Sequence, residues 1–147
     1  GVMPGEEMQY AFQKARDEGK EIYLIDQDIR QTLARLKMVR RKEKVKAVAM
    51  LPLSIFGEKF DYTKIPEQDM IDELLEVFKE KFPEMYHVFV EERNLHMAES
   101  LRIVEQNHPE ENIIAVVGAA HKTGLESFID EISSQNKMEE EQEKVEG

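Results

Sequence analysis

The residues best suited to chemistry gather around one histidine, in the stretch Ile113 to Leu125 (IIAVVGAAHKTGL). Ile113, Ile114, Ala115, Val116 and Val117 form a continuous apolar run, the pattern of a strand buried on both faces of a parallel sheet. Gly118 breaks the run, and Gly124, Leu125, Phe128, Ile129 and Ile132 then follow at helical spacing. His121 falls in the turn, at or near the helix start. Exposed backbone N–H groups and the positive end of the helix dipole disfavour imidazolium there, so a neutral ring is expected. A neutral imidazole at the C-terminal end of a buried strand can ligate a metal or act as an electrophile. The plainer alternative is a polar loop residue bonded to nearby backbone.

A second apolar run, Glu21 to Ile25 (EIYLI), ends at Asp26-Gln27-Asp28. If the two runs are parallel strands, Asp26 and Asp28 lie on the same sheet edge as His121, where open α/β sheets place their ligands. Two carboxylates and an imidazole can hold a divalent metal or divide acid and base roles. Asp28 can equally cap the helix that opens at Ile29, with Asp26 a solvated turn residue. Further along, Glu92 and His96 are four apart and share a helix face, while Arg93 can clamp a carboxylate or phosphate. A solvated charged face explains the same residues. The basic run Arg35 to Lys46 suits an anionic surface, or serves as a helix face that offsets acid elsewhere. GAAHKTG is not a phosphate loop, because His121 stands where glycine must precede the lysine. G-x-G-x-x-G, H-E-x-x-H and G-x-S-x-G motifs do not occur.

These residues need elements to position them. The 147 residues suffice for one domain with a core and are too few for two. Helices are expected from about Glu6 to Glu18, closed by Gly19, from Ile29 through Leu36, from Gln68 to Phe82, and from Glu84 to about Gln106. Val45 to Leu53 continues a helix until Pro52, and Phe56 to Pro66 reads as a loop. The net charge of −11 argues against a general nucleic-acid binder, and no nucleic-acid partner is expected. The absence of cysteine removes disulfides, zinc–thiolate sites and cysteine nucleophiles. No apolar run reaches membrane-spanning length and the start is not a signal peptide, so the chain reads as a soluble segment, cytoplasmic by default. Residues 135–147 are acidic and nearly free of apolar side chains, expected as a fraying helix end or disordered tail after a domain over 1–134.

PGEEMQYAFQKA, LIDQDIRQTLARL, VEERNLHMA and IIAVVGAAHKTGLE together resemble the TraB/PrgY, or pheromone-shutdown, family. The blocks span about Pro4 to Glu126 in the family's order. That family is related to the Tiki metal-dependent proteases and more distantly to erythromycin-esterase and ChaN-like proteins. Its hallmark is a pair of G-x-x-H motifs, and Gly118 to His121 matches the later one. By resemblance Glu7 matches the family's G-x-E-M block, Asp26, Asp28, Thr32 and Arg35 its D-R-D-I…T-L-x-R block, and Glu92, Arg93, Asn94 and Met97 its E-R-N…M block. Gln27 stands where the family usually has arginine.

The combined expectation is a helix-rich α/β domain with a small parallel sheet of two clear strands, a piece whose first G-x-x-H motif would precede residue 1. A two-stranded sheet leaves both edges open, so a homodimer is a possible consequence. The resemblance implies a metal-dependent hydrolase acting on a peptide or small signal molecule. His121, Glu7 and Glu92 would be its metal ligands, with Arg93 among the catalytic groups. Asp26, Asp28, Arg35 and Asn94 would contact substrate. The rival is a non-catalytic regulator that sequesters a peptide. The resemblance also implies a parent protein held at a membrane by a C-terminal region.

Overall fold

In a computed structural model of the chain, residues 5–56 and 68–146 are described, so most of the expected loop at Phe56 to Pro66 lies outside the described residues. The first helix, α1 (Glu6–Asp17), begins with Glu6 and Glu7 and ends with Lys14 and Arg16, charges that oppose the helix dipole at both ends. Gly19 closes it at φ +66°, a left-handed value that suits glycine. The Gly19 N–H then donates to Arg16 O and the Lys20 N–H to Ala15 O, the paired bonds of a Schellman closure. Helix α2 (Ile29–Met38) starts where the Asp28 carboxylate accepts the Arg30 N–H at 2.8 Å. Helix α3 (Arg41–Phe56) continues past the expected stop at Pro52.

The expected single helix from Glu84 divides into α5 (Pro83–Tyr86), a π-turn (His87–Glu91) and α6 (Glu92–Asn107). Helix α4 (Gln68–Lys81) precedes it, and a 3-10 turn (Ala119–His121) leads into α7 (Lys122–Glu146). The α7 backbone is helical through residues 135–146. No helix among the described residues is long and apolar enough to cross a membrane. The core is the α6–α7 contact, where Met97, Ala98 and Leu125 are buried and Ile25, Leu101, Val117, Phe128 and Ile132 pack around them.

The α/β expectation is corrected: among the described residues there is no strand and no sheet. Both apolar runs nevertheless lie along α6 in the same direction. Tyr23 meets His108 at the C-terminal end of α6, with Oη to Nε2 at 2.7 Å, and Asp26 meets Arg93 at its N-terminal end. The 113–117 run likewise starts after α6 and ends at the turn that carries His121 beside Asn94. Residues 93 to 108 of a helix span roughly 22 Å, and the three steps from Tyr23 to Asp26 bridge them only as a drawn-out chain at about 3.3 Å per residue, with the Tyr23 and Arg93 side chains reaching the rest of the way. What fails is pairing. Ile25 and Val117 point into the core, whereas Leu24 is 90% and Ile114 88% exposed, and no backbone hydrogen bond joins the runs among the described residues. Apolar β-branched composition reports preference for a strand, but a strand also requires a neighbour about 4.8 Å away.

Much of the basic run is spent on closing helices. The Lys44 ammonium donates to Lys37 O at 3.0 Å and Lys46 to Lys81 O at 2.9 Å, so each lysine caps another helix's C-terminus. Helices α3 and α5 also cap each other reciprocally. Glu43 of α3 accepts the Met85 N–H at 2.8 Å, and Glu84 of α5 accepts the Arg40 N–H at 2.6 Å. Glu43 is 8% exposed, so its loss leaves a donor unmet where water enters poorly. Glu43→Ala is expected to cost about 1–2 kcal/mol in urea denaturation, whereas Lys42→Ala, at an exposed position, should stay within about 0.5 kcal/mol. Equal effects would show that the reciprocal cap contributes nothing.

Candidate functional site

The turn carrying His121 is shaped by its own backbone and by contacts from two helices. Gly118 O accepts the His121 N–H at 2.8 Å, which winds the 3-10 turn. From α4, Gln68 donates to Ala119 O at 3.2 Å, and Asp72 accepts the Thr123 hydroxyl at 3.0 Å. From α6, Asn94 Oδ1 lies 2.7 Å from His121 Nδ1, a buried contact. With a carbonyl oxygen as partner, Nδ1 carries the proton and Nε2 keeps its lone pair. Nε2 has no hydrogen-bond partner among the described residues.

A fixed pair of charges stands beside this ring. Arg93 grips Asp26 with two hydrogen bonds, Nε to Oδ1 at 3.0 Å and Nη2 to Oδ2 at 2.6 Å, and gives a third to Phe89 O. Burial pushes the Asp26 carboxyl up, but the Arg93 hydrogen bonds and charge, with the Gln27 N–H, outweigh it and hold the group below the usual carboxylate range. Burial is the largest influence on His121 and lowers its pKa. The Arg93 charge lowers it further, and the Asp26 charge opposes both. The lowered direction agrees with the neutral ring expected from the sequence, and desolvation is its leading cause.

The remaining expected residues divide into those near His121 and those elsewhere. Asp26, Arg93, Asn94 and His121 form one group. Glu92 turns the other way, to the Arg35 guanidinium (Nε to Oε2, 3.0 Å) and to His87 Nε2 at 3.3 Å. Arg35 holds the Glu92 carboxyl below its ordinary range, against burial. His96 is exposed and has no bond to Glu92 among the described residues. Arg35, Met38, Val39, His87, Val88 and Glu92 line a separate open cavity of about 350 Å³. Asp28 caps α2 and pairs with Arg30. Glu7 accepts the Gly5 N–H at 3.1 Å, and no hydrogen bond or ion pair among the described residues joins it to His121.

Gln68, Asp72, Thr123 and His87 were not singled out in the sequence. Gln68 and Asp72 have the i, i+4 spacing of any solvated face, so only the turn they meet distinguishes them. His87 is five residues from Glu92, a separation that an α-helix does not align but a π-turn does. Among the described residues no three His, Asp or Glu side chains gather as a metal-ligand set.

A family model described as TraB/PrgY/gumN matches residues 2–137. An uncharacterized protein of Methanocaldococcus jannaschii is 34% identical over 143 residues, which cover 95% of this chain and 35% of that protein. The chain thus spans about a third of the length of the curated relative it matches. No solved structure matches it.

The charges around His121 set a pH dependence. With the folded-state pKa lowered, the unfolded chain takes up the His121 proton first as pH falls below about 6.5, so folding stability declines from there. Asp26 and Glu92, both lowered, add loss of the same sign only near and below about pH 4. Arg93→Gln removes a depressing charge and leaves the Asp26 carboxylate, so the His121 midpoint measured by NMR should move up. An unchanged midpoint would show that Arg93 does not act on the ring.

Proposed function

Because the chain belongs to the TraB/PrgY/gumN family, we propose that it supplies one side of a hydrolytic centre acting on a peptide or comparable signal molecule. The observation that carries this reading is the buried, neutral His121, its Nδ1 fixed by Asn94. A ring held in that way presents a basic Nε2 to a substrate. In the proposed reaction Nε2 takes the proton of an attacking water and returns it to the leaving group. Burial keeps the ring neutral, and in the pair beside it the Arg93 charge lowers the ring's pKa further while the Asp26 charge opposes it.

A divalent metal is the cofactor that the TraB/PrgY resemblance implies. An oriented, neutral histidine is an apt single ligand, since metal-bound imidazoles commonly donate their other N–H to a fixed acceptor. One histidine is not a site, however. Glu92 is committed to Arg35, Glu7 is not joined to His121, and the described residues form no ligand set. The residues described do not by themselves fit a metal.

One observation favours a peptide-binding regulator as the second reading. The apolar 21–25 and 113–117 runs are drawn out along α6 with Leu24 and Ile114 bare. A peptide laid beside them can meet backbone donors and acceptors that the two runs do not exchange with each other. Incubating the protein with a peptide library and reading the products by mass spectrometry separates the two. The hydrolytic reading expects cleaved peptides, with His121→Gln slowing cleavage about 10²-fold or more. Intact peptides that co-purify with the protein, and no cleavage, would replace the enzyme by the regulator.

A further inference from the structure

Gly124 is the third residue of α7, inside a helical turn where glycine is normally a poor choice. Its backbone does not take the left-handed φ that would explain it. The explanation lies across the interface. A Cβ built on Gly124 would stand 2.2 Å from Asn94 Nδ2 and 3.3 Å from Asn94 Cγ. The first distance is far inside any tolerated contact. Asn94 is only 2% exposed and its carbonyl oxygen is engaged by His121, so its amide has little room to withdraw. Met97, Ala98 and Leu125, all buried, close the same α6–α7 contact around it. Gly118 provides a contrast three residues before His121. A Cβ there meets only His121 Cδ2, at an ordinary 3.7 Å.

We infer that Gly124 is a positioning residue for His121, acting through Asn94. The missing side chain at 124 is the recess in which the Asn94 amide lies, and that placement keeps Oδ1 on Nδ1 and the proton off Nε2. This deepens the hydrolytic reading, because it explains which ring nitrogen faces substrate, yet it concerns the state of the ring whether or not the protein cleaves anything. Any larger residue at 124 must either part α7 from α6 or turn the Asn94 amide. Both outcomes release the ring.

The test is the tautomer of His121, read from imidazole nitrogen shifts in the ¹⁵N-labelled protein, with helix content and urea midpoint followed in parallel. The unmodified protein should hold the Nδ1–H form. Gly124→Ala should lose the single fixed tautomer while helix content is kept, and Asn94→Ala should show the same loss. The double variant Gly124→Ala with Asn94→Ala relieves the clash. It should therefore fold even if Gly124→Ala alone does not, with a ring no more disturbed than in Asn94→Ala. A retained Nδ1–H form in Gly124→Ala overturns the inference, as does a double variant that fails to fold or shifts the ring further. A locked ring in a protein that cleaves no peptide would leave the positioning role standing and remove the hydrolytic reading.

Discussion

The contact between Asn94 of α6 and His121, in the turn that opens α7, is buried beside the core cluster of Met97, Ala98 and Leu125. At 2% and 7% exposure neither group can exchange its partner for solvent without opening the interface. A hydrogen bond of that kind adds little net energy when made, but leaving it unmade is expensive. The imidazole orientation is therefore tied to helix packing. Leu125, Met97 and Ala98 supply apolar burial that holds the helices together, and the polar pair fixes their register. The drawn-out runs join the same arrangement, since Ile25 and Val117 add to this cluster and deliver Asp26 and Gly118 to one end of α6.

Around that contact, consecutive residues on the first turn of α6 serve different partners. Glu92 binds Arg35 of α2, Arg93 binds Asp26 in the connection before α2, and Asn94 binds His121 before α7. Successive helix positions lie about 100° apart, so three neighbours in sequence reach three neighbours in space. Opposite charges alternate along the line, which keeps the local field small despite the chain's net charge of −11. Beside His121 the residual effect is depression of the ring's pKa, because burial and Arg93 together exceed Asp26.

The helices were largely legible from apolar spacing and from punctuation. Gly19 marked the end of α1, Asp28 the start of α2, and Pro83 the break between α4 and α5. His121 was legible as neutral and as seated in a turn at a helix start. The sheet was read wrongly, because Ile113 to Val117 and Glu21 to Ile25 state a preference that only a neighbouring strand can satisfy. The π-turn was invisible, since Tyr86 to Glu92 carries no residue type that departs from an ordinary helix. The partners of Glu92 followed from it and were equally hidden. Gly124 was counted among helix residues on spacing alone, and the reason for a glycine there appears only when Asn94 is seen against it.

The π-turn at His87–Glu91 also divides the work of one continuous rod. Before it, α5 packs against α4; after it, α6 packs against α7. The wider turn holds about one residue more than an α-helical turn, which sets the two halves out of phase by roughly 100°. Each half can therefore present its own apolar stripe to its own neighbour, with Val88 and Val90 buried within the turn itself and Met97 and Ala98 beyond it on α6. Length in this segment is consequently quantised. Loss of a single residue between 87 and 91 would bring the stripes into one line, and the rod could satisfy one neighbour only by turning away from the other. Substitutions here change a side chain, whereas a deletion changes which helices the domain can bring together.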